Sequence, residues 1–144
     1  MLTITFEQFL EFRPCWLDDA KKTALLRRIA KRKTDWSALD ILALDEPSND
    51  DKLWAVLREE LISAPILHEF ACWCAEQALA LVENPDPRSV AAIAAKRAWL
   101  RGEIDNVQLA AARAAARDAA QDAAQAAQVN YLMAALKEET HENT

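Results

Sequence analysis

Near the middle of the chain, His68, Cys72 and Cys74 have the residue types and spacing that could do chemistry. On a helix, His68 and Cys72 stand four residues apart on one face, where both could reach one metal ion or form a nucleophile–base pair. Cys74 lies about 200° around from Cys72 on such a helix and cannot join them. Completing a zinc site would need Cys15 to arrive through folding, or His141 from the tail. A Cys–His nucleophile would need an orienting Asn or Asp, and no motif supplies one. Buried structural thiols are the default for such cysteines. The carboxylates are numerous but none sits in an acid–base motif, so solvated helix faces account for them. A single glycine, Gly102, leaves no glycine-rich phosphate loop and no nucleophile elbow. The expectation is a protein that is not an enzyme, with no catalytic residue, metal or cofactor.

Two other constellations point to binding. From Lys21 to Lys33 the chain carries Lys21, Lys22, Arg27, Arg28, Lys31, Arg32 and Lys33 with no acid between them. The formal charge of −6 is therefore these seven cations set against −13 over the remainder. Lys21, Arg27, Arg28, Lys31 and Arg32 share a predicted helix face that could track a phosphate backbone, or bridge acidic loops of the same molecule. An acidic bulk argues against general nucleic-acid binding and for a basic protein partner. The second constellation is Trp73, which falls among Glu69, Glu76 and Gln77 on the polar stripe of an otherwise apolar helix. Either another helix covers it, or it is an exposed aromatic ringed by carboxylates, which resembles a binding hot spot.

The elements that hold these residues are helices. Thirty of the 144 residues are Ala and only five are Pro, an excess of the best helix former. The expectation is an all-α, compact domain of about six to seven helices over residues 1–139, without a sheet, and with a frayed tail at 140–144. Capping signals mark the starts: Thr5 with Gln8, Asp18 or Asp19, Asp35, Ser48 with Asp51, Ser63 before Pro65, Asp86 before Pro87, and Asp105 with Gln108. The basic helix is expected to run to about Lys33, a short helix to span Asp35 to Leu44, and Leu53, Leu57 and Leu61 to line one face of the next. Gly102 reads as the residue that ends the penultimate helix. No apolar run is long enough to span a membrane. The N-terminus has no basic flank for a signal peptide. An odd count of three cysteines fits a reduced, cytoplasmic protein.

The last helix is predicted from about Asn106 to Glu138. Ala112, Ala116, Ala119, Ala123, Ala126 and Ala127 form a stripe of small residues along it, opposite Arg113, Arg117, Asp118 and Asp122. Small residues at this spacing allow a second helix to approach closely. The stripe is expected to pack within the chain or to pair two copies as a homodimer. Tyr131, Leu132, Met133 and Leu136 restore large side chains, as an anchored end would.

Motif order carries a resemblance. Residues 70–79 read FACWCAEQAL, Pro87-Arg88 follows, residues 95–104 read AKRAWLRGEI, and an Ala/Arg helix comes after. Over roughly residues 66–128 this resembles immunity proteins of the Imm5-like type and related helical proteins carried by phages and prophages. The resemblance implies a non-catalytic inhibitor that neutralises a toxin by occluding its active surface, an acidic protein suiting a basic toxin such as a nuclease. A phage-borne relative would antagonise a host defence component, in the manner of an anti-CRISPR protein, by the same physical means.

Overall fold

The computed structural model describes residues 1–142. Over these the chain is predominantly helical, in the order β1 (Thr3–Thr5), α1 (Phe6–Glu11), α2 (Ala20–Ala30), β2 (Asp35–Ser37), α3 (Ala38–Leu42), α4 (Asn49–Val56), α5 (Ala64–Ala80), α6 (Pro87–Leu100) and α7 (Asn106–Glu142). It forms two compact units, Met1–His68 and Glu69–Thr144, with the division falling inside α5. The expected tail from residue 140 begins inside α7, and residues 143–144 lie outside the described residues.

The N-terminal unit corrects the expectation of no sheet. β1 and β2 pair antiparallel, with Thr3 opposite Ser37, Ile4 opposite Trp36 and Thr5 opposite Asp35. Both strands end in helix N-caps, Thr5 and Ser37, whose backbones are extended at ψ 166°. A cap residue must leave helical geometry. Two caps brought side by side therefore supply extended chain that can form a ladder. Ile4 and Trp36, facing each other across it, are both buried.

Thr5 and Gln8 form a reciprocal capping box, Gln8 N donating to Thr5 Oγ1 at 3.2 Å and Thr5 N to Gln8 Oε1 at 2.8 Å. Asp19 caps α2 by accepting from Lys21 N and Lys22 N. The expected helix start at Asp35 is displaced: Ser37 is the cap, boxed with Asp40. The basic helix is also shorter than expected. α2 ends at Ala30, and Lys31, its C-cap, turns the chain toward β2. The expected leucine row fails as well. α4 stops at Val56, leaving Leu53 and Leu57 exposed, while Ala55, Val56 and Leu61 are buried.

These short elements meet in a core of Ile4, Phe9, Ile29, Trp36, Ala38, Ile41, Ala55, Val56 and Leu61. Phe9 meets Trp54 edge-on at 6.0 Å between ring centres, and Trp16 meets Trp54 at 6.4 Å. Such edge-to-face pairs add to what burial alone contributes.

The C-terminal unit is built from an antiparallel pair. Gly102, at φ 73°, closes α6: its N–H donates to Trp99 O at 2.9 Å, and Glu103 N donates to Ala98 O at 2.9 Å. Those two bonds satisfy carbonyls that a helix end would otherwise strand. Asp105 then boxes with Gln108 to open α7. Trp99 Nε1 donates to Asn106 Oδ1 at 2.8 Å beside the turn, and Arg88 pairs with Asp122 at 3.0 Å toward the other end. Between those ties Leu109 and Ala119 are buried, and Ala112 and Ala116 are partly so. From Ala120 to Glu138 every residue is exposed, including Ala123, Ala126, Ala127, Tyr131, Leu132, Met133 and Leu136. The expected anchored end is therefore bare. α6 has 14 residues and α7 has 37, so a hairpin with α6 can cover only the first part of α7.

Candidate functional site

The α5 constellation is assembled by the helix itself, since Glu69, Trp73, Glu76 and Gln77 recur at helical spacing. Trp73 is 53% exposed, and its ring stacks on Phe70 with centres 6.1 Å apart and planes inclined by 19°. Gln77 is exposed. The two carboxylates are not bare. Arg97 of α6 donates from Nε to Glu76 Oε1 at 2.7 Å and from Nη2 to Glu76 Oε2 at 3.0 Å, a bidentate pair. Its Nη1 also donates to Glu69. The hydrogen bond from Arg97 holds the Glu76 carboxyl below the usual carboxylate range, and its pairing with Glu76 and then Glu69 raises Arg97 above its ordinary value. One guanidinium thus spans the two carboxylates that flank Trp73 in sequence, fixing their positions.

Arg97 was not marked as a site residue by sequence. It lies in the Ala-Lys-Arg-Ala-Trp stretch of α6, residues 95–99, but nothing local says which carboxylates it meets. Only the tertiary fold, which brings Arg97 of α6 within reach of α5, decides it.

The basic segment divides into paired and unpaired cations. Lys22 bonds Asp51 at 3.0 Å, Lys33 bonds Asp40 at 2.8 Å, and Arg32 pairs with Glu46. The acidic loop and the basic run therefore neutralise each other in part. The Lys33 hydrogen bond, followed by bonds from the Ser37 backbone and hydroxyl, brings the Asp40 carboxyl down to about 2. Hydrogen bonding to Arg32 likewise holds Glu46 below its ordinary value. Lys21, Arg27, Arg28 and Lys31 are exposed and make no ion pair among the described residues. Of the five cations expected on one face, Lys31 and Arg32 lie beyond the end of α2, and Arg32 is engaged by Glu46, leaving four without an ion pair among the described residues.

Cys72 is buried, Cys15 and Cys74 are exposed, and all three are free thiols. Among the described residues no group of three or more His, Cys, Asp or Glu is placed to hold a metal ion. Among the described residues no helix is long and apolar enough to cross a membrane. Comparison of the chain with protein-family models, curated proteins and solved structures finds no match.

Proposed function

We propose that this chain is a non-catalytic protein-binding inhibitor that works by occlusion, as an immunity protein occludes a toxin. The observation that carries it is Trp73, more than half exposed and stacked on Phe70. A rigid surface aromatic of this kind is what anchors protein interfaces at low entropic cost. Glu69 and Glu76 border it in sequence, and a carboxylate bonded by Arg97 keeps lone pairs that can accept from a partner's Lys or Arg. The net charge of −6 favours a basic partner. The resemblance over residues 66–128 includes this face, and supports action in the cytoplasm of a bacterium or a phage-infected host. A phage-encoded anti-defence inhibitor would use the same surface; a toxin gene beside this one favours immunity, phage structural genes the other role.

Co-purification with products of neighbouring genes identifies the partner, and Trp73→Ala should then weaken binding by about 2 kcal/mol or more. Unchanged affinity with lowered thermal stability would place Trp73 in a packing role and remove the reading.

A second reading has its own observation. Lys21, Arg27, Arg28 and Lys31 leave four exposed, unpaired cations among the described residues, a footprint for phosphates. Gel-shift retention of DNA or RNA at moderate salt, lost when these four are changed to Glu, would favour nucleic acid. Pairing of two copies through the exposed far half of α7 is a further partner proposal. Sedimentation at the mass of two chains would support it.

A further inference from the structure

The core of the N-terminal unit holds an apolar cavity of about 90 Å³ that is partly open to solvent. Phe9, Trp16, Leu25, Ile29, Trp36 and Ile41 contribute to its walls, which are almost wholly carbon. Protein interiors pack densely, with few voids larger than a water molecule. Here the helices framing the space, α1 to α4, run from 5 to 11 residues. A water in such a space would need two to four polar partners. The lining offers almost none. Apolar cavities of somewhat larger volume, about 150 Å³, take up a benzene ring.

The polar side chains at the wall limit the charge of an occupant. Lys22 is already paired with Asp51 at 3.0 Å, and Lys52 Nζ donates to Leu42 O at 3.3 Å. A charged ligand would have to displace one of these bonds. An uncharged one would not.

We propose that this cavity is a binding site for a compact, uncharged apolar molecule, with the dimensions of a short branched alkyl group or a single small ring. Burial of such a ligand removes apolar surface from water on both sides and restores dispersion contacts that the walls now lack. The site lies within the core of the N-terminal unit and makes no use of Trp73, so it is independent of the proposed inhibitor function.

Titration of the full chain with isobutane, cyclopropane and the charged analogues isobutyrate and isobutylamine tests it, followed through the indole N–H resonances of Trp16 and Trp36. The expected result is saturable shifts of both indoles with isobutane or cyclopropane, at least tenfold tighter than with either charged analogue, and a raised Tm. Ala55→Leu, which fills the cavity from α4, should abolish the shifts. Should that variant fail to fold, Ala30→Val narrows the same space more gently and should weaken binding at least threefold. No saturable shift up to the solubility of the neutral probes would overturn the proposal. So would equal binding of charged and neutral probes, or undiminished binding to a folded cavity-filling variant.

Discussion

The two units of this chain reach helical structure by opposite routes. The N-terminal unit uses short pieces, no helix in α1 to α4 exceeding 11 residues, and ties them with caps, a two-stranded ladder and a shared aromatic core. Isolated helices of that length are marginal in water, so their stability comes from tertiary contact. The C-terminal unit contains α7, 37 residues and about 55 Å long, rich in Ala and needing little burial to stay helical. Among the described residues its buried ones are Cys72, Leu109 and Ala119, against a cluster of nine in the N-terminal unit. The contrast separates a region held by what it buries from one held by what its backbone prefers.

The largest expected effect tests the first half of that contrast. Phe9→Ala removes a buried ring that touches Phe12, Trp16 and Trp54, and should cost about 3–5 kcal/mol. Denaturant unfolding followed by tryptophan fluorescence reads it. A loss under about 1 kcal/mol would mean that the aromatic cluster does not govern this unit.

A smaller effect should appear within α7 itself. Ala119→Leu forces volume into the contact with α6 and should destabilise by about 1–3 kcal/mol. Ala126→Leu, seven residues on, meets open solvent in the single chain and should change stability by under about 0.5 kcal/mol. A large cost at Ala126 would show that another surface covers the far half of α7. Sedimentation of the parent then tells whether that surface is a second copy.

The smallest effect depends on pH. Asp40 has a folded pKa of about 2 against an ordinary 3.8, so the ionised form is favoured by folding. Its contribution is complete above the unfolded value, and is lost as pH falls from about 4 toward 2. Asp40→Asn should lower Tm at neutral pH, with the difference from the parent narrowing through that window. A difference that stays constant down to pH 2 would mean that the Lys33 and Ser37 bonds do not select the ionised carboxylate.

Several elements were legible because their signals are local. Thr5 with Gln8, Ser48 with Asp51 and Asp105 with Gln108 are caps three residues apart, and Gly102 is the one residue with no Cβ penalty at the positive φ that its turn requires. The interaction that sets each lies within one turn of chain, so the residues alone determine it. The helical class follows for the same reason, through Ala. The helix face holding Glu69, Trp73, Glu76 and Gln77 is likewise a matter of spacing.

Tertiary structure decided the rest, because distant partners compete with local preference. Ile4 and Trp36 are 32 positions apart, and their pairing converts two cap segments into a ladder where a helix start at Asp35 is locally plausible. Arg97 finds Glu69 and Glu76 across 28 and 21 positions, turning an acidic stripe into a bridged one. Glu46, Asp51 and Asp40 engage three of the seven basic residues and leave four without an ion pair among the described residues. The length of α6 determines where burial along the alanine stripe stops. A sequence states which side chains want partners; which partner each one finds depends on where the chain returns, and that is a property of the whole fold.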